Sequence, residues 1–231
     1  MTARLLLVHS PLVGPSTWEL VARELTESGY DTAVVDLTGT VVSGPPYGLR
    51  QAQLIARDSA GRPTILIGHS GAGPLLPAAG MIIGRVLGYI FVDAGLPTPG
   101  QSWMDAAPLE LAEQLKQTAD DKGWLPAWPD WWSDAVLHQL LPDPATRQHF
   151  VQECPRLPLD MFEEVRTPVA QWPDAPAGYL QLSEGYQKEA TRARELGWPV
   201  AEQPSHHLAM VTEPGRIAKS LRELIGQLVP G

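Results

Sequence analysis

"LIGHSGAGP", Leu66 to Pro74, sets three glycines and one serine directly behind the apolar run "TILIG", Thr64 to Gly68. Three chemistries use a turn of this composition. A phosphate loop needs G-x-x-x-x-G-K-[ST], and no lysine stands here. A dinucleotide fingerprint needs G-x-G-x-x-G. The order here is G-x-x-G-x-G, and no acidic ribose partner follows at a suitable distance. The third reading is a nucleophile elbow: a strand, a sharp turn with serine at its apex, then a helix. That turn brings strand and helix close together, so it needs small residues two positions either side of the serine. Gly68 and Ala72 supply them around Ser70. A glycine-rich strand–helix turn with an incidental serine is the plainer alternative.

The flanking sequence suits an elbow. "RLLLV" (Arg4–Val8), "TAVVDL" (Thr32–Leu37), "TILIG" and "YIFVDA" (Tyr89–Ala94) are nearly continuous apolar runs. Runs of this length suit strands covered on both faces, hence a parallel sheet. Between the first two lies "STWELVARELTESG". Ser16 with Glu19 forms a capping-box pattern, Trp18, Val21, Ala22 and Leu25 share a face, and Gly29 closes the helix. "GLRQAQLIARDSAG" predicts a second helix. Alternating strands and helices predict an α/β fold with a doubly wound, mostly parallel sheet.

The alternation stops after Asp93. Residues 96–177 show no clear strand, many prolines and six of the eight tryptophans, with helical patterns at "PLELAEQLKQTADD" and "WWSDAVLHQLL". The sheet pattern resumes with "GYLQLS" (Gly178–Ser183), a helix "YQKEATRARELG", a strand near "WPVAEQ" and a closing helix with Ile217, Leu221, Leu224, Ile225 and Leu228 on one face. Residues 1–95 and 178–231 therefore read as one core. Residues 96–177 read as a helical, Trp-rich insertion over the carboxyl edge of the sheet.

Composition narrows the partners. A net charge of −9 with no Lys/Arg block argues against nucleic acid and anionic membrane. No apolar run approaches a membrane span, and the apolar stretch near the N-terminus is too short for a signal peptide. The single Cys154 cannot form an internal disulfide, which fits a reducing cytoplasm. A monomer or homodimer acting on a hydrophobic small molecule is the expectation.

A serine is a poor nucleophile without a base, and elbow enzymes run Ser, acid, His along the chain. "EQPSHHLAM" offers His206 and His207. His207 is preferred, because His206 takes the slot where a small residue is usual. The acid should orient the histidine and stabilise its cation. Glu184, just after "GYLQLS", is the first choice, and Asp93, ending "YIFVD", the alternative. His69 beside Ser70 is expected to pack or hydrogen-bond locally, and His9 to brace the turn after the first strand.

With these residues in order, the chain resembles the α/β-hydrolase family over most of its length: "LLLVHSPLVGPSTWELVARELTESGYDTAVVDL", "ILIGHSGAGPLLPAA", "YIFVDAGLP", "YLQLSEGY" and "HHLAMVTEP" fall in family order. The resemblance implies an eight-stranded type of sheet, here lacking its first strands, with the insertion as the family's cap. It also implies a site without cofactor or metal. One departure stands out. Family members usually carry His-Gly after the first of these strands, and the next residue donates a backbone N–H to the oxyanion. Here the run is His9-Ser10-Pro11, and proline has no N–H. Gly71 N–H remains as one donor, and the second must come from Leu12 N–H or the Ser10 hydroxyl. A hydroxyl at this position resembles the hydroxynitrile-lyase branch of the family, where a threonine occupies it.

"WLPAWPDWW" places four tryptophans in nine residues. Part of this is packing. The remainder, with Trp128, Trp131 and Trp132 as candidates beside His69, suits an aromatic-lined pocket over Ser70. Three functions follow: a serine hydrolase on an ester, thioester or lactone; a lyase or cyclase of secondary metabolism on the same fold; or a receptor-like binding module.

Overall fold

The computed structural model describes residues 3–107, 109–166, 168–170 and 172–229. Six parallel strands form one sheet: β1 (Arg4–Val8), β2 (Asp31–Val35), β3 (Thr64–His69), β4 (Val86–Val92), β5 (Ala177–Gln181) and β6 (Val200–Glu202), in the order β2-β1-β3-β4-β5-β6. The fold is the expected doubly wound α/β sheet. The chain leaves β1 toward β2, then returns to the other side of β1 for β3 and all later strands. This reversal opens a crevice at the carboxyl ends of β1 and β3, where open α/β sheets bind ligands.

Side chains alternate between two apolar layers, as a strand's period of two requires. Leu5, Leu7, Ile65, Ile67, Ile90 and Val92 pack into one layer. It is covered by α1 (Ser16–Glu27), through Trp18, Val21 and Leu25, and by α11 (Pro214–Leu228). Leu6, Val8, Leu66, Tyr89 and Phe91 face the other layer. There they meet α2 (Tyr47–Asp58), α3 (Leu76–Ile83) and α9 (Gln187–Glu195). Both faces of the central strands are thus dry, which is why their sequences read as unbroken apolar runs.

The start of α1 departs from the sequence pattern. Ser16 does not cap the helix: Pro15 occupies the cap position, and the Ser16 hydroxyl is buried without a hydrogen-bond partner. The free backbone donor Ser16 N–H is taken by the Glu153 carboxylate at 2.8 Å. Glu153 ends α7 (Pro144–Glu153), far away in sequence. A tertiary carboxylate has replaced the local capping box.

Between β4 and β5 the chain forms α4 (Trp103–Ala106), α5 (Leu109–Thr118), α6 (Asp134–Leu140), α7 and α8 (Asp160–Glu163). Acidic residues of this segment dock on the N-terminal ends of core helices, where unpaired N–H groups and the helix dipole favour negative charge. Glu153 does so on α1, and Glu164 accepts from Tyr47 N–H at 2.6 Å and Gly48 N–H at 2.7 Å at the start of α2. Asp160 also accepts from the Tyr47 hydroxyl at 3.0 Å. Helices that follow parallel strands begin at the carboxyl edge of the sheet, so these contacts hold the insertion beside the crevice. Among the described residues, no helix is long and apolar enough to cross a membrane.

Candidate active site

Ser70 follows the last residue of β3 and has φ +54°, a left-handed conformation that costs a non-glycine residue energy. Close packing holds it there. A Cβ on Gly68 would lie 3.1 Å from the Leu76 side chain, and a Cβ on Gly73 would collide with the carbonyl oxygen of Gly95. Ala72 is fully buried. The turn therefore has the strain and the small neighbours that an elbow needs.

Asp93 directly follows β4, also in a left-handed conformation at φ +42°, and is fully buried. Its Oδ1 accepts from Leu182 N–H at 2.8 Å and Ser183 N–H at 3.1 Å. Its Oδ2 accepts from the Ser183 hydroxyl at 2.5 Å and from His207 Nδ1–H at 3.0 Å. With Nδ1 protonated and bound to the carboxylate, the neutral imidazole leaves Nε2 as the proton acceptor. His207 lies between β6 and α10 (Ala209–Thr212). Asp93, His207 and Ser70 thus converge from the ends of β4, β6 and β3.

These elements lie within the span matched by the model of the "Alpha/beta hydrolase family", residues 5–220. The chain belongs to the alpha/beta hydrolase family. A search of curated proteins gave no match. Solved hydrolase folds superpose over nearly the whole length. An extracellular alpha/beta-hydrolase from a Paenibacillus species, described as sharing structural and functional homology with tobacco Salicylic Acid Binding Protein 2, is 19% identical, with TM-score 0.75, over 99% of this chain and 100% of that one. A pyrethroid hydrolase from Sphingobium faniae is 19% identical, with TM-score 0.73, over 96% and 97%. A variant of tomato Methylketone Synthase I complexed with beta-ketoheptanoate is 16% identical, with TM-score 0.78, over 99% and 100%. At these identities the likeness is one of fold.

The carboxylate against His207 Nδ1 is that of Asp93, not of Glu184. Glu184 opens a short 3-10 turn after β5 and is exposed. The place against His207 Nδ1 is already filled by a carboxylate one strand over, anchored by two backbone N–H groups. His206 faces away: its Nδ1 accepts from Leu208 N–H at 3.3 Å, and its Nε2 meets the Thr212 hydroxyl at 2.9 Å.

His69 is fully buried behind the elbow. Its Nε2–H donates to the His207 carbonyl at 3.0 Å, and the two rings lie 4.4 Å apart. Burial, reinforced by the neighbouring His207, holds the His69 imidazole well below its ordinary value, so it stays neutral. His9 braces the turn after β1: its Nδ1–H donates to the Ser10 carbonyl at 2.7 Å, and its Nε2 accepts from Leu37 N–H at 3.0 Å. That turn brings the Ser10 hydroxyl against the elbow, 2.9 Å from where a Cβ on Gly71 would stand. Leu12 N–H donates to Ser10 Oγ at 3.3 Å. The Leu12 amide is therefore engaged, while the Ser10 hydroxyl proton remains available.

Of the three candidate tryptophans, Trp128 alone lines the narrow cavity at Ser70, with Ser10, Leu12, Val13, His69, His207 and Leu208. Trp131 donates its Nε1–H to the Pro126 carbonyl at 3.0 Å and packs on the cluster of Leu125, Leu157 and Phe162. Trp132 is about half exposed and touches Trp128 edge-on. Trp124 and Trp131 pack on a cluster that joins the insertion to Val41 and Tyr47, and Trp128 packs on the main core of the sheet.

Tyr186 stands two positions past Glu184, where no sequence pattern marks it. Its hydroxyl lies 3.2 Å from Ser70 Oγ, and its ring stacks on His207 at 5.0 Å and 7°. Among the described residues, Ser70 Oγ is hydrogen-bonded to Tyr186 and not to His207.

Proposed function

We propose that this hydrolase cleaves an ester, thioester or lactone bond of a hydrophobic small molecule through Ser70, His207 and Asp93. The pairing of the buried Asp93 with His207, beside a serine at φ +54°, carries this reading. Ser70 Oγ attacks the acyl carbon as its proton passes to His207 Nε2. Asp93 keeps the proton on Nδ1 and stabilises the imidazolium that forms. The serine must turn from Tyr186 toward Nε2 to react, a tightening common when substrate binds. Gly71 N–H, in the first turn after the elbow, and the Ser10 hydroxyl flank the place where the oxyanion develops. The insertion, with Trp128 over the cavity, serves as the cap that selects an apolar substrate. Names of the structural neighbours include a pyrethroid hydrolase and an esterase, which agrees with ester chemistry.

Pro11 favours one rival. With no N–H at that position, a lyase or cyclase could use His207, Ser10 and Ser70 as acid–base groups without an acyl-enzyme. A fluorophosphonate separates the two, because it reacts only with an activated serine. Labelling of the wild type that disappears in Ser70→Ala and His207→Ala supports the hydrolase. Resistance of the wild type to labelling overturns it in favour of the rival.

The oxyanion assignment has its own test. Ser10→Ala is expected to lower kcat on 4-nitrophenyl butyrate by roughly 10²-fold, with a smaller change in KM, as for loss of one oxyanion donor. An unchanged kcat would return the role to Leu12 N–H.

A further inference from the structure

Tyr186 touches the reacting oxygen, yet the triad has no use for it. The strand order says from which side it comes. β3, carrying Ser70, lies between β1, whose loop brings Ser10, and β4, whose end brings Asp93. Tyr186 follows β5 and His207 follows β6, both on the β4 side. Ser10 and Tyr186 therefore reach Ser70 from opposite sides. Tyr186 shares the side of His207, with its ring stacked at 5.0 Å on the imidazole and its hydroxyl 3.2 Å from Ser70 Oγ.

Resting on the acyl-transfer reading above, we propose that the Tyr186 hydroxyl is a catalytic hydrogen-bond donor to the leaving-group oxygen. In acylation, Ser70 Oγ forms a bond to the acyl carbon while its proton goes to His207 Nε2. The tetrahedral centre then expels the leaving oxygen with the electron pair of the broken C–O bond, and the proton passes from Nε2 to that oxygen. Tyr186 loses no proton. The leaving oxygen shares its carbon with Ser70 Oγ, so a donor within hydrogen-bond distance of one reaches the other by a short tilt. The hydrogen bond strengthens as negative charge grows on the leaving oxygen, which is the transition-state-selective interaction that raises rate. Burial pushes the Tyr186 phenol up to about 12, so it stays a neutral donor in neutral solution. The exposed Glu184 next to it in the same turn has no such access.

Tyr186→Phe keeps the stacked ring and removes only the hydroxyl. The test is kcat/KM, which reports acylation, across 4-nitrophenyl, phenyl, trifluoroethyl and ethyl butyrates for wild type and variant, with fluorophosphonate labelling of both. The loss is expected to climb with the basicity of the leaving group, from about 3-fold for 4-nitrophenyl to roughly 30- to 100-fold for ethyl, the range of one hydrogen bond to a developing charge. Labelling of Ser70 should persist in the variant. A loss of equal size across the series would overturn the proposal, as would no loss, or loss of labelling together with all turnover, which would make Tyr186 structural. Wild type that neither labels nor turns over any of these esters would overturn the acyl-transfer reading itself, and this inference with it.

Discussion

Ser70→Ala is expected to lower kcat on 4-nitrophenyl butyrate by about 10⁵- to 10⁶-fold, close to what loss of a whole triad costs, because nucleophile and base act as a unit. Some rate above water, roughly 10³-fold, should survive from the oxyanion donors and binding alone. KM should change little, since the hydroxyl contributes to the transition state more than to substrate binding. Folding should survive as well. Alanine meets the same left-handed backbone that serine tolerates at φ +54°, and among the described residues Ser70 Oγ makes its hydrogen bond to a single group, Tyr186. A glycine relieves that strain, so Ser70→Gly should unfold at a higher temperature than Ser70→Ala, by about 1 kcal/mol of stability. Steady-state kinetics and thermal melts of the two variants together separate a lost nucleophile from a broken fold. Turnover within 10-fold of wild type in Ser70→Ala, a bound set by the size expected for an incidental contact, would end the serine-hydrolase reading.

Asp93→Asn is expected to cost about 10⁴-fold in kcat. The amide oxygen will stay on Leu182 N–H and Ser183 N–H, two fixed backbone donors to Oδ1. That places the amide NH₂ where Oδ2 accepted from Ser183 Oγ–H and His207 Nδ1–H. An NH₂ there donates to Nδ1, and the imidazole proton moves to Nε2, the nitrogen that should receive the Ser70 proton. The histidine remains in place with the wrong tautomer. Glu184→Gln, on an exposed turn, should change kcat/KM by less than about 2-fold, as surface substitutions do. Should the two losses come out reversed, Glu184 would be the acid after all. The expected ranking is a direct measure of what the geometry adds, because the sequence alone favours Glu184.

The reason the sequence favours Glu184 is instructive. A carboxylate shortly after a predicted strand, in chain order between Ser70 and His207, satisfies every one-dimensional requirement for the acid. Asp93 satisfies them too. Distance along the chain cannot decide between two strand ends, since β4 and β5 are neighbours with parallel register, and both loops open toward His207. The decision lies in which carboxylate points inward, and that is a property of backbone conformation. Asp93 turns at φ +42° into two backbone donors, while Glu184 turns outward. Tyr186 was hidden for the same reason: nothing in "SEGY" distinguishes a solvent-facing tyrosine from one laid flat on an imidazole. The tryptophans misled in the opposite direction. Their density marks a need for large apolar volume, but most of that volume lies where the insertion packs on the core, and Trp128 alone among the three candidates meets the cavity.

By itself the sequence determined the parallel sheet, because strands dry on both faces must be apolar at every position. It determined the tight strand–helix turn, because small residues at 68 and 72 let strand and helix meet around Ser70. It also determined that Pro11 withholds a backbone donor, a matter of covalent chemistry that no fold can change. The tertiary structure decided which carboxylate faces His207, that the Ser10 hydroxyl lies against Gly71, and that Tyr186 reaches Ser70 from the histidine's side. Each of these is a question of direction, not of identity. Direction is set where loops from separate strands converge at one edge of the sheet, and those contacts join residues far apart along the chain.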